Sequence, residues 1–260
     1  MQGRGGDRMI GVLSNLHLVK ADDICLHEAH ESKRLHLTSE AIREEGVLRH
    51  PPLAVRMRDG RCLIIDGAHR TCALQQLGCR YIPLQLVEAH DFTLEAWHHL
   101  VPVGPWLDDL QLDPTLQFTT ERPDGQPLAE LVKSDGSVLY LSCGAEENRF
   151  QAWHRIVGAY SEEYRVNRLA PHASYQLDAH HVVLRYPAVR LDELETAVFA
   201  GQLMPAGVTR FSVRGRLLNL RIPLSLLFDE ERAHEEWAKL CMYWSNTLRL
   251  YSEAVYLCEV

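Results

Sequence analysis

The sequence predicts an α+β fold. Short apolar runs and helix-like segments follow one another in irregular order. Turn signals such as Pro51-Pro52 and Asp59-Gly60 separate them. No run of 18 or more apolar residues occurs, so nothing reads as a membrane span.

The elements read as follows. Ile24 to Leu26 is a short apolar stretch leading into His27-Glu28. Ser39 offers an N-cap for a helix through Glu45, and Gly46 would end it. Pro51-Pro52 forces an extended entry to a strand in which Leu53, Val55 and Met57 alternate. Asp59-Gly60 turns the chain into a returning strand, Cys62 to Ile65. After Asp66 to Arg70, Thr71 to Leu77 reads as a helix stopped by Gly78, and Tyr81 to Val87 as a strand. Thr93 would cap a short helix carrying Trp97, His98 and Leu100. Pro102, Pro105 and Pro114 mark a boundary, giving units 1–105 and 106–260.

The second unit is mixed α/β. Val138 to Leu141 and His181 to Tyr186 read as strands, and Glu146 to Tyr160 as a helix. Asp192 with Glu195 resembles a capping box for a helix through Ala200. Val208 to Val213 and Leu217 to Ile222 would form a hairpin around Arg214-Gly215. Asp229 caps a long final helix bearing Trp237, Leu240, Trp244 and Leu248. That stripe suits core packing or a homodimer contact.

Composition narrows the function. Hydrophobic residues make up 46% and charged residues 24%, as in soluble globular proteins. The net charge of −8 argues against a dedicated DNA-binding protein, because phosphate contacts dominate such affinity. Met1 to Gly6 lacks the apolar core of a secretory signal, so a cytoplasmic location is expected. Seven scattered cysteines without a Cys-x-x-Cys pair read as reduced thiols. His98-His99 and His180-His181 lack metal-site spacing.

The sharpest chemical feature is Asp66-Gly67-Ala68-His69-Arg70. An apolar strand meets a glycine and enters a helix, whose first amides and positive dipole end attract anions. Arg70 can grip phosphate with two donors. Asp66 fits such a site if it holds a divalent cation or orients a reacting hydroxyl. The plain alternative is a tight turn, with Asp66 capping the helix and Arg70 in a surface ion pair. Glu28 could be a general base on a hydroxyl or a solvated surface carboxylate. Met204 to Phe211 could wrap a phosphate or simply enter a hairpin. Trp97-His98 could serve a substrate or pack a helix.

Taken together, Leu26 to Glu31, Gly46 to Pro52 and Leu63 to Arg70 carry a resemblance. Ala73 to Gly78, Ile82-Pro83, Gly207 to Arg210 and Ile222 to Leu224 extend it. They resemble the ParB/sulfiredoxin-like superfamily, and within it the free L-serine kinases of the SbnI type from staphyloferrin B biosynthesis. The resemblance implies a ParB/sulfiredoxin-like unit with a C-terminal unit completing a nucleotide cleft. It implies phosphoryl transfer from ATP or ADP to free L-serine, with Mg2+, feeding siderophore or amino-acid biosynthesis. Glu28 would be the general base, and Asp66 the second carboxylate, at the metal. Gly67, Ala68, His69, Arg70 and Thr71 would hold phosphate. Thr209 and Arg210 would lie near the nucleotide, and Trp97 and His98 near the serine.

Departures from sibling families sharpen this. Sulfiredoxins have a cysteine where Ala68 stands, so thiol chemistry is not expected. Only Gly67, Arg70 and Ala73 match the ParB Gly-Glu-Arg-Arg box. No Walker-type loop occurs. The competing reading is a ParB-like DNA-binding regulator that responds to a nucleotide or ligand.

Overall fold

The computed structural model describes residues 13–144 and 148–251. The fold is α+β, as the sequence predicts. Two compact units are built from interleaved stretches. Unit 1 takes Met1–Ile24, Ser32–Glu88 and Gly215–Val260, and unit 2 takes Cys25–Glu31 and Ala89–Arg214. The expected boundary near residue 105 therefore falls inside unit 2. Pro105 there opens a helix at its first turn, where a missing N–H is tolerated.

Unit 1 is organised by a sheet of order β1-β6-β4-β5-β2. Its strands are β1 (Leu16–Lys20), β4 (Leu53–Arg56), β5 (Cys62–Asp66), β6 (Tyr81–Leu86) and β2 (Ile24–Leu26), of which Ile24 is counted in unit 1 and Cys25 and Leu26 in unit 2. β4 lies between β5 and β6 and is buried at three successive positions rather than alternately, the pattern of a strand covered on both faces. The turn at Asp59-Gly60 is as predicted, with Gly60 at φ 89°. β3 (Val47–Leu48) pairs with β15 (Ile222–Pro223).

Helix α1 spans Ser32–Glu45, starting seven residues before the expected cap. Ser39 is therefore mid-helix, and its hydroxyl donates to Gln76 Oε1 at 3.2 Å. Leu35 and Ile42, two turns apart, supply the buried face that extends the helix. Helix α2 spans Ala68–Gln76 and likewise begins earlier than Thr71. The last helix of the unit, α6, spans Glu230–Thr247. Asp229 Oδ1 accepts from the Glu231 amide at 2.9 Å, as expected of a cap. Trp244 is buried and donates to Leu220 O at 3.0 Å, so it belongs to the core of its own unit.

Unit 2 holds a sheet of order β12-β8-β13-β10-β11-β9. Its strands are β8 (His98–Pro102), β9 (Leu116–Thr119), β10 (Ala129–Val132), β11 (Val138–Cys143), β12 (Asn167–Leu169) and β13 (His181–Arg185). Its helices are α3 (Pro105–Leu112), α4 (Arg149–Ser161) and α5 (Leu191–Phe199). Asn148 caps α4, accepting from the Phe150 amide at 2.9 Å. The predicted start at Glu146 lies outside the described residues. At α5 the reciprocal bond runs from the Arg190 amide to Glu193 Oε2 at 2.9 Å, two residues before the expected box.

Two expectations fail here. The segment after Thr93 is strand rather than helix: β7 (Phe92–Ala96) leads into β8. Phe211 lies opposite Leu94, and Thr209 opposite Ala96, in the pairing of β7 with β14 (Thr209–Val213). Ladder bonds from 115 residues away override a weak helix pattern. That same pairing removes the expected hairpin around Arg214-Gly215, because β14 already has its partner.

Candidate active site

In unit 1 the Asp66 turn forms where buried β5 ends. Gly67 sits at φ 93° as the N-cap of α2. A Cβ there would lie 2.9 Å from Arg70 Nη2 and 3.0 Å from Pro52 Cβ, so only glycine fits both the backbone and the space. The helix ladder begins with the Thr71 amide on Gly67 O at 2.9 Å. The helix opens at Ala68, and Gly67 has no side chain to cap its first turn.

Asp66 does not cap the helix. Its Oδ2 accepts from Arg70 Nη2 at 2.7 Å and from Arg216 Nη2. Arg70 also donates to His50 O at 2.8 Å. Thr71 is fully buried and its hydroxyl donates to Gly67 O at 3.0 Å, so it shapes the turn from inside. Ala68 is buried and His69 half-buried.

In unit 2, Glu28 follows β2 and forms a parallel bridge with Met204. The Met204 amide donates to His27 O, and the Ala29 amide to Met204 O, both at 2.8 Å. The Gly207 amide donates to Glu28 Oε2 at 3.2 Å. Buried His27 and Thr209 are joined through Nε2 and Oγ1 at 2.8 Å. The 204–211 segment is thus tied to the His27-Glu28 corner, 182 residues away in the case of Thr209.

Arg210 pairs with Glu95 and stacks over the Trp97 ring at 4.9 Å. His98 stands on β8, with Nδ1 buried and without a hydrogen-bond partner. Arg210 Nε is in the same state. The predicted residues thus fall into two groups, Asp66 to Thr71 in unit 1 and Glu28, Trp97, His98, Thr209 and Arg210 in unit 2.

Sequence reasoning missed the support behind Glu28. His99 is 2% exposed and bonds Gly207 O through Nε2 at 2.8 Å. A carbonyl only accepts, so Nε2 carries the proton. Nδ1 then accepts from the Tyr160 hydroxyl at 2.7 Å, and Tyr160 accepts from Tyr186 at 2.6 Å. Burial drives the His99 pKa down to about 4 and keeps the ring neutral. One residue, Gly207, stands between this chain and Glu28. Gly207 itself is at φ 80°, and a Cβ there would strike the Arg168 guanidinium at 2.2 Å.

This histidine gives a pH prediction. The unfolded chain takes up the proton near the ordinary 6.5, the folded one only near 4. Stability therefore falls as pH drops between those values, by roughly 3 kcal/mol from this group. Urea denaturation at pH 7 and pH 4.5 should show that loss, reduced in His99→Gln. Equal pH slopes in the two proteins would refute it.

Among the described residues no group of three or more His, Cys, Asp or Glu side chains is placed to hold a metal ion. No helix among them is long and apolar enough to cross a membrane.

No family model matches the chain. It is 35% identical over 247 residues to the ATP-dependent L-serine kinase SbnI of Staphylococcus aureus (strain NCTC 8325 / PS 47), covering 94% of this chain and 97% of that one. The structure of SbnI with a C-terminal truncation from Staphylococcus aureus matches with TM-score 0.82 and 34% identity, over 89% of this chain and 98% of that chain. A free serine kinase in complex with AMP matches with TM-score 0.69 over 82% of this chain and 94% of that chain. At 17% identity that likeness speaks to the fold. The resemblance to free L-serine kinases read from the motifs is borne out, and the chain belongs to the family of the L-serine kinase SbnI.

Proposed function

We propose that this chain transfers the terminal phosphoryl group of ATP to the hydroxyl of free L-serine, giving O-phospho-L-serine for amino-acid or siderophore assembly. The observation that carries this is Glu28. One carboxylate oxygen is fixed by the Gly207 amide, and among the described residues the other makes no hydrogen bond. A carboxylate so aimed suits a base for a substrate hydroxyl.

Glu28 takes the serine Oγ proton as the Oγ–P bond forms. The bond from the γ-phosphorus to its bridging oxygen breaks, and the electron pair leaves with ADP. The reaction needs charge stabilisation and positioning more than covalent help. The amides of Ala68, His69 and Arg70 supply fixed donors to phosphate. Arg70 braces the turn through Asp66 and His50 O, and Thr71 holds it from inside. Trp97 and His98 are assigned to the serine and Arg210 to the nucleotide, with the Arg210 guanidinium stacked over the Trp97 ring. Thr209 keeps the 204–211 segment on His27.

Asp66 suits Mg2+. Its Oδ1 accepts no hydrogen bond among the described residues, and this ion commonly uses one or two carboxylates plus substrate phosphates. When bound, Mg2+ neutralises phosphate charge.

The test is direct. Protein, serine, Mg2+ and either ATP or ADP are incubated, and phosphoserine is measured by mass spectrometry. ATP should support turnover, and threonine should not replace serine. Absence of phosphoserine with both donors would overturn the reading.

A further inference from the structure

We propose that Arg216 grips the terminal phosphate of the nucleotide during transfer. This rests on the kinase reading above. Arg216 lies outside every segment that carries the family resemblance.

Its position is built deliberately. Gln85 on β6 is 3% exposed. Its Nε2 donates to Gly215 O and its Oε1 accepts from the Leu217 amide, both at 2.8 Å. A buried amide is thus devoted to the two backbone groups that flank Arg216. A buried polar group must be satisfied, so this clamp holds tightly. Farther along, the Asn219 amide donates to His50 Nδ1 at 2.9 Å and the Leu220 amide to Arg49 O at 2.8 Å. Asn219 and Arg221 both sit at φ 55°, the left-handed region that ordinary residues avoid. The segment accepts backbone strain and several anchors, and what it presents is one guanidinium at Asp66.

The two arginines on Asp66 differ. Arg70 is also tied to His50 O, and its side chain is 24% exposed. The Arg216 guanidinium has no other hydrogen bond among the described residues, and its side chain is 40% exposed. Arg70 braces, whereas Arg216 is able to leave. Two guanidiniums against one carboxylate leave a net positive charge beside the amides that open α2. Such a place takes an anion, which answers why an acidic residue stands at a phosphate turn.

Charge spreads over the terminal phosphate oxygens in the transition state, and an arginine there is worth a large factor in rate. When Arg216 moves from Asp66 Oδ2 to those oxygens, no covalent bond to it forms or breaks. The move also frees the carboxylate oxygen it occupied.

The experiment compares Arg216→Ala and Arg216→Lys with the wild type. The readouts are kcat, serine KM, and affinities for ATP and AMP by calorimetry, with melting curves as the folding control. Arg216→Ala should lower kcat about 10²–10³-fold, the loss expected when one donor to transition-state charge is removed. It should weaken ATP about tenfold and leave AMP unchanged, since AMP lacks the gripped group. Arg216→Lys should recover part of the rate, as a point charge without the fork. A kcat within about twofold of wild type, or equal weakening of ATP and AMP, would overturn the proposal and leave Arg216 as a charge partner for Asp66. If the wild type phosphorylates no serine, the kinase reading has failed, and the ATP-against-AMP difference still decides whether Arg216 holds phosphate.

Discussion

Glu28→Gln is expected to lower kcat for serine phosphorylation about 10²–10⁴-fold, the range a positioned general base supplies. The substitution separates chemistry from architecture. A glutamine keeps an oxygen where Oε2 now accepts from the Gly207 amide. The bridge between Glu28 and Met204 uses backbone alone and is untouched. The His99 chain that holds the Gly207 carbonyl is also retained. What disappears is the ability to take a proton at neutral pH. Melting temperature and ATP affinity should therefore stay close to wild type while turnover collapses. Glu28→Asp should fall between the two, because it keeps the base but draws it back by one methylene. Turnover by Glu28→Gln within about tenfold of wild type would remove Glu28 from the base role, since no weaker effect fits that function.

Much of the fold near the chemistry was legible because it is local. The Asp59-Gly60 turn, the strand ending at Asp66 and the stop at Gly78 depend on residues a few positions apart. Gly67 was read as the residue between strand and helix, whereas its left-handed cap role came only with the structure. The segment from Thr93 to Pro102 was not legible. Phe92 to Ala96 forms a strand because β14 lies beside it, and nothing within that window announces β14. The units were misplaced by the same blindness. Gly215 onward returns to the unit that begins the chain, so no linear boundary describes them. For the site, motif residues were readable and their supports were not. Gln85 and Gly215 are separated by 130 residues, and His99 and Gly207 by 108. A buried glutamine or histidine in a strand carries no local sign of which backbone it will hold.

Asp66→Asn should act in two opposite directions, and that pairing is the strongest check on the phosphate turn. The carboxylate now meets two guanidinium groups on one oxygen. An amide oxygen can still accept from them, so the turn keeps its shape. Its charge changes by one unit toward positive. Nucleotide binding without metal should therefore tighten, because the remaining negative group no longer opposes the incoming phosphates. Catalysis should nonetheless fall about 10²–10³-fold, because the carboxylate that suits Mg2+ is gone and phosphoryl transfer depends on charge placed at the reacting oxygens. The Mg2+ concentration needed for half-maximal rate should rise as well. Calorimetry with ATP in EDTA, set beside a Mg2+ titration of kcat, reads both effects. Weaker metal-free binding together with an unchanged Mg2+ requirement would mean that Asp66 serves only to brace Arg70 and Arg216. Tighter metal-free binding follows from charge alone, so the Mg2+ requirement is what separates a metal-holding Asp66 from one that only braces the arginines.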